Sequence, residues 1–209
     1  MKRFLALLIV LMMFVMCSSS YGMFLVYKVS TSVKGVDDTT VSIPLKAYLV
    51  MNFDDDSGEI QDANLILYGK DYDGVKVYVQ LNDSDSDDYL DIDAWSMGTG
   101  DGYSFIDFWA YGDENPFEFE GYVMGKNKVR DIGATDLWII ASSMKGVFMV
   151  FQDMLLDADQ DISGMSNISM TLDNTTTKMA NGGGWSQDDV SAYITGLLQD
   201  KDYTEGTVP

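Results

Sequence analysis

The residues that could carry chemistry in this chain are almost all carboxylates. In Asp157-Ala158-Asp159-Gln160-Asp161 an acid stands at every second position of a loop, a spacing that lets oxygens converge on one hard cation as calcium loops do. Asp157, Asp159 and Asp161 are therefore the candidate Ca2+ ligands. The run departs from the EF-hand pattern at two places: Ile162 stands where the sharp turn needs glycine, and Ile168 where a closing bidentate glutamate belongs. It also sits between expected strands and not between helices, so a solvated hairpin turn accounts for the same residues. A second acidic run, Asp83, Asp85, Asp87 and Asp88, leads into Asp91 and Asp93. A divalent cation there would relieve mutual repulsion, and solvation at a loop tip would serve equally.

For catalysis the only candidates are carboxylate pairs, Glu118 with Glu120 and Asp91 with Asp93. Each pair shares one face of a strand about 6.5 to 7 Å apart by strand rise. That overlaps the acid-to-base separation of glycosidases, but every acidic i, i+2 pair on a strand has it. No catalytic residue is assigned, and the chain is read as a non-enzyme. Histidine is absent, which excludes Ser-His-Asp and Cys-His nucleophile systems and His-ligated zinc. With 33 acids against 13 Lys and Arg the net charge is −20, so nucleic acid is excluded as a partner. One cysteine allows no disulfide within the chain.

Rings offer the other chemistry. Trp95, Tyr103, Phe105, Phe108, Trp109, Tyr111, Phe117, Phe119 and Tyr122 crowd into one stretch, with rings on both faces of 103–111. This fits either a central strand buried on two sides or a barrel lumen able to hold an apolar or sugar ligand. Trp138 and Trp185 could join that cluster. Asn82, Asn167 and Asn174 head glycosylation sequons, which matter only in a eukaryotic host.

The elements that must position these residues are strands. Leu25, Tyr27, Val29, Thr31 and Val33 alternate with polar neighbours, as do Val41 to Met51 and Val75 to Leu81. Pro44 cannot donate to a ladder, which predicts an edge or a bulge there. Further strands are expected at 60–68, 89–97, 103–111, 117–124, 137–141, 145–151 and 164–172. Turn material joins them, including Asp73-Gly74 directly before a strand. No helix of crossover length separates them, so the expected fold is mainly β, an antiparallel β-barrel or β-sandwich of about ten strands. Leu45 to Val50 and Met144 to Met149 echo each other, as a duplicated hairpin or as two strands with similar demands.

At the C-terminus the period changes. Ser186 followed by Asp188 and Asp189 predicts a helix N-terminus, and Val190, Tyr193, Ile194, Leu197 and Leu198 form one apolar stripe. An amphipathic helix over 187–200 should pack across one end or edge of the sheet. A shorter helical turn is expected at Thr175 to Ala180 before Gly182-Gly183-Gly184, and frayed residues from Thr204 to Pro209.

At the N-terminus Lys2 and Arg3 precede an apolar run from Phe4 to Met16 and the polar Cys17-Ser18-Ser19-Ser20. That is the three-part pattern of an export signal, and 13 apolar residues fall short of the ~20 that span a bilayer. Cleavage near Gly22 is expected, with lipidation at Cys17 as the rival. Residues 1–22 hold Lys2 and Arg3 and no acid, so removing them deepens the charge from −20 to −22. The organisation expected is a signal peptide over 1–22 and a single mainly β domain over 23–209. The mature chain has no expected transmembrane span and is secreted, periplasmic or at the cell surface. Its expected role is a non-enzymatic binding or surface-structural module. The alternatives are a divalent-cation-dependent adhesion or carbohydrate-binding domain and, behind them, a carboxylate glycosidase.

Overall fold

A computed structural model describes residues 22–34, 42–54, 57–70, 74–82, 89–98, 100, 102–111, 117–133, 137–153 and 164–206. The strands are β1 (Met23–Lys34), β2 (Ser42–Phe53), β3 (Ile60–Lys70), β4 (Lys76–Asn82), β5 (Tyr89–Trp95) and β6 (Tyr103–Tyr111). They continue with β7 (Phe117–Arg130), β8 (Trp138–Ala141), β9 (Ser143–Asp153) and β10 (Gly164–Leu172). Helices α1 (Asn174–Gly183) and α2 (Gln187–Gln199) follow, and β11 (Thr204–Glu205) ends the described chain.

All the strands belong to one sheet in the order β11-β4-β3-β2-β1-β10-β9-β7-β6-β5, with β8 off this path on β7. Every pairing is antiparallel except β11 on β4. The expected mainly β architecture with a C-terminal helix is thus the one observed, as a single sheet that curls without closing. An even number of antiparallel steps separates β4 from β5, so the two edges run in the same sense and no hairpin can join them. They approach each other, β5 packing near β3 and β4, without forming a ladder.

The alternation of the strands sorts side chains onto two sides of this sheet. The inner side carries the main core, from Leu25, Tyr27, Leu49, Met51 and Leu65 on one half to Ile92, Phe108, Phe119, Val123 and Phe148 on the other. Tyr27 is fully buried there and its hydroxyl donates to the Ala141 carbonyl at 2.8 Å. Desolvation outweighs the nearby Arg130 charge and drives its pKa far up, so it acts only as a neutral donor. Phe108, Phe119 and Phe148 fill the centre, with ring centroids 5.3 to 6.4 Å apart. Beside them lies an apolar cavity of about 10 Å³, bounded also by Val29, Ala47 and Leu67. That is room for the centre of one water-sized sphere.

On the outer side Phe24, Val26, Tyr48, Val50, Ile66 and Tyr78 are buried under Ala180 of α1 and Val190, Ile194 and Leu198 of α2. Each such large side chain contributes about 1.5 to 3 kcal/mol by leaving water. The C-terminal helix therefore lies on a face of the sheet, not across its end or edge as expected. A sheet this wide has an outer side too apolar over β1–β4 to leave wet. Ser186 caps α2 with a reciprocal capping box to Asp189, whose carboxyl is held below the usual range by those hydrogen bonds.

Helix α1 is longer than the expected turn, running through Gly183 to a left-handed Gly184. It also finishes what β10 leaves undone. Strand β10 stops at Leu172, opposite Tyr27, so the backbone of Phe24 and Val26 on β1 lacks a neighbouring strand there. The helix supplies the partners. Asp173 N–H donates to Val26 O at 2.8 Å, and Thr177 Oγ1 accepts from Val26 N–H at 3.1 Å. Asn181 Oδ1 accepts from Phe24 N–H at 2.7 Å, while its Nδ2 donates to Phe24 O at 3.1 Å and Ile132 O at 2.9 Å. Thr177 and Asn181 are one helical turn apart, the spacing that aligns them along a strand. Asp173 caps this helix through Thr176 and pairs with Lys28 Nζ at 2.8 Å. Burial pushes its carboxyl up, but the Lys28 and Thr176 contacts together outweigh that and hold it below the ordinary range.

Three further expectations change. Strand β2 lies between β1 and β3 and is not an edge; Pro44 is tolerated because the β3 ladder begins only at Lys46. Strand β7 continues to Arg130, six residues beyond its expected end, because its last turn pairs with β8 after β9 has diverged. Thr204 and Glu205 are not frayed but run along the β4 edge opposite Val77 and Tyr78, with Tyr203 packed edge-on to Tyr68. That covers one of the two open edges.

Candidate functional site

Among the described residues, no helix packs on the outer side of strands β5, β6, β7, β9 and β10. Read across in register, the outward residues form rows. Asp91, Trp109, Glu120 and Met149 make one, and Asp93, Asp107, Tyr122 and Val147 the next. Trp95, Phe105, Met124 and Lys145 follow, then Tyr103 beside Lys126. Of the ten large apolar side chains exposed among the described residues, six stand on this one face: Trp95, Tyr103, Tyr122, Met124, Val147 and Met165. Met165 is 70% exposed and Trp95 42%. An uncovered apolar face of this kind marks an interaction surface more often than chance.

The rings are organised. Trp95 and Phe105 stack at 5.4 Å with an interplanar angle of 7°, and Tyr122 leans on both at 6.2 and 6.3 Å. Strand β6 is therefore not buried on both sides, one of the two readings its rings allow. Its inner ring is Phe108, and Tyr103, Phe105 and Trp109 look outward on a face that is partly wet. Trp138 and Trp185 lie elsewhere. Trp138 packs on Phe53 at 5.6 Å against the inner core, and Trp185 on Tyr193 at 5.2 Å under the helices.

Acids crowd one end of this face. Asp93 and Asp107 are directly opposite across β5 and β6, a like-charge cross-strand pair. Asp107 Oδ1 is buried without a hydrogen-bond partner among the described residues. Desolvation, then the Glu120, Asp93 and Asp91 charges, raise the Asp107 pKa; desolvation and Asp93 raise that of Asp91. A carboxyl whose folded pKa is raised weakens the fold above that pKa, and the penalty fades as protonation sets in on acidification. Asp107→Asn should therefore raise the melting temperature at pH 7, by roughly 2 °C, with the gain over wild type vanishing as pH falls below the raised pKa. Paired calorimetric melts from pH 7 to 4 check this, and equal melting at pH 7 refutes it.

Among the sequence candidates, Glu118 with Glu120 and Asp91 with Asp93 are brought onto this one face by β7 and β5. Asp157, Asp159 and Asp161 lie outside the described residues, as do Asp83 to Asp88, Cys17 and the export signal. Among the described residues, no group of three or more acids or thiols is placed to hold a metal ion. No helix among them is long and apolar enough to cross a membrane. Sequence reasoning missed Asp107, Met124, Val147, Met165 and the lysines 126, 128 and 145. The signal available was the alternation of β7 itself, Glu118, Glu120, Tyr122, Met124, Lys126 and Lys128.

No protein-family model, curated protein or solved structure matches the chain. The class is defined by geometry: an acidic, mainly β domain built on one curled sheet, half of whose outer side is sealed by helices and half left bare and ring-bearing.

Proposed function

We propose that this protein is a non-enzymatic binding or surface-structural module outside the cytoplasm, working through the bare ring-bearing face of β5 to β10. The gathering of six exposed large apolar side chains on that face is the observation that supports this reading. Export rests on Lys2-Arg3 and the apolar run to Met16, with cleavage near Gly22 or a lipid anchor at Cys17. A glycosidase role is weaker, because Glu118 and Glu120 project side by side from one strand, whereas glycoside hydrolysis needs two carboxyls facing one bond. Carbohydrate binding is the second reading, favoured by the near-coplanar Trp95 and Phe105. A cation-dependent variant would draw on Asp157, Asp159 and Asp161 with Ca2+.

Hydroxyl-radical footprinting tests the proposal. Trp95, Tyr122 and Met124 should oxidise about threefold more slowly in intact producing cells than in dilute purified protein, as expected of a covered interface. Intact mass of the extracytoplasmic fraction should show residues 1–22 absent, or a lipid on Cys17. Equal oxidation in both settings, retention of the protein in the cytoplasm, or glycoside turnover lost in Glu120→Gln would overturn it.

A further inference from the structure

The bare face carries a charge gradient along its strands. Down β7 the outward residues read Glu118, Glu120, Tyr122, Met124 and Lys126, and Lys128 is exposed beyond them where β7 has passed to β8. Two acids, two apolar side chains and two lysines follow one another at the two-residue repeat of a strand, about 6.6 Å apart. Neighbouring strands repeat the polarity. Asp91, Asp93 and Asp107 lie level with Glu120 and Tyr122, while Lys145 lies level with Met124 and Tyr103 with Lys126. Among the described residues none of these lysines is in a salt bridge, the pairs being Lys28–Asp173, Lys76–Asp202 and Lys178–Asp131.

We infer that the bare face of β5, β6, β7, β9 and β10 binds a second copy of this chain, the two sheets packing face to face about a two-fold axis perpendicular to the strands between Tyr122 and Met124. The inference rests on the reading of this face as the working surface and names its occupant. A two-fold axis in that direction reverses the strands and leaves each opposite its own copy, as an isologous interface requires. Glu118 then faces the partner's Lys128, Glu120 faces the partner's Lys126, and Tyr122 faces the partner's Met124. An axis parallel to the strands would set acid on acid and lysine on lysine, so charge selects one arrangement. On β7 the apolar pair Tyr122 and Met124 lies between the charged ends, and the two middle rows hold Trp95, Phe105 and Val147 together with the charged Asp93, Asp107 and Lys145. Five strands at about 4.8 Å by about 33 Å of β7 offer roughly 800 Å² per copy, the share each partner gives to a standard stable interface. The charge pairs at the ends of β7 set orientation and the rings and methionines between them supply affinity.

The same geometry explains an asymmetry of the fold. The outer side of β1 to β4 is sealed by α1 and α2 from the same chain, and the second copy is the corresponding cover for the rest.

Sedimentation velocity on the purified protein should show a dimer at about 100 µM, dissociating on dilution. Lys126→Glu with Lys128→Glu should weaken self-association about 100-fold, and so should Glu118→Lys with Glu120→Lys. These lie on the exposed or half-exposed side of β7, and unchanged circular dichroism and melting show that each variant is folded. Mixed in equal amounts, the two variants should restore a one-to-one heterodimer by native mass spectrometry, since each now presents what the other lacks. Wild type monomeric at that concentration, charge reversals that leave the dimer intact, or a mixture that stays monomeric would overturn the proposal. A monomer in solution whose Trp95 and Tyr122 are nonetheless protected in cells defeats the second copy alone and leaves the working surface standing.

Discussion

Replacing Asn181 with leucine should cost about 3 to 5 kcal/mol of folding free energy, a large part of the ~5 to 15 kcal/mol that holds a domain of this kind together. Leucine keeps asparagine's branching and has the higher helix propensity, but its methyls need more room than the 2.7 to 3.1 Å at which the amide sits, so helix α1 must also back away slightly. What is lost is the amide. Phe24 N–H, Phe24 O and Ile132 O all use it, at 2.7, 3.1 and 2.9 Å. Phe24 is 2% exposed and Ile132 fully buried, so water cannot step in at either. Each orphaned buried group costs about 1 to 3 kcal/mol, while the propensity gain is under about 1. Denaturant unfolding of wild type and Asn181→Leu gives the difference directly. Thr177→Val serves as the graded control, since it removes one acceptor, that for Val26 N–H, and should cost about a third as much. Hydrogen exchange adds a local signature: Phe24 N–H should lose protection in the Asn181 variant before the centre of β1 does. A loss below about 1 kcal/mol would mean that the helix is not completing the β1 ladder.

The residues that were legible in the sequence are those whose environment is decided by the strand they sit on. Strands β6 and β10 coincide with the expected stretches 103–111 and 164–172, β10 because its inner Ile168, Met170 and Leu172 alternate with Asn167, Ser169 and Thr171, and β6 because its run of rings is bounded by turn residues. The sequence predicts an end to β7 at Met124. Gly125-Lys126-Asn127-Lys128 has the composition of a turn, and only the fold makes Asn127 a buried member of the ladder. There it bonds the Ser104 hydroxyl and donates to Ser96 O, whose residue adopts a positive φ of 62°. Helix α1 outruns its expected length for a similar reason. Gly182 and Gly183 are poor helix formers, but the cap at Gly184 and the Trp185 N–H to Ala180 O bond hold the last turn together.

The candidate site was half legible. Its rings and the carboxyls of β5 and β7 stand out in composition, but which rings share a side is settled by register. Phe108 and Trp109 are adjacent in sequence and point to opposite sides, one into the core and one to the bare face. Nor does local pattern distinguish a covered outer side from an open one. Tyr48 and Tyr78 under the helices and Tyr103 and Tyr122 in water are all tyrosines on alternating strands. The difference is made by where the chain goes after Leu172, a non-local fact.

Gly121→Val should destabilise the fold by about 3 kcal/mol or more, and Gly121→Ala by about 1 to 3, although neither residue is buried more deeply than the glycine it replaces. Gly121 lies on β7 directly between Phe108 of β6 and Phe148 of β9. A Cβ there would stand 2.2 Å from Phe108 Cζ and 2.5 Å from Cε1, well inside contact distance. Intrinsic preference points the other way, since alanine gains about 0.5 to 1 kcal/mol over glycine within a strand. Packing decides the sign. The Phe108 ring is 1% exposed and wedged against Phe119 and Phe148, so it cannot swing aside freely. The cavity beside it, about 10 Å³, is too small to take a displaced ring. The ring is nonetheless the end of a side chain and not backbone, which makes the clash curable. Phe108→Leu in the Gly121→Ala background should recover about 1 kcal/mol or more relative to the sum of the two single losses. A double-mutant cycle by denaturant unfolding measures that coupling. If the two losses simply add, Gly121 is not the seat on which the Phe108 ring rests, and the central ring trio would have to be held by Phe119 and Phe148 alone.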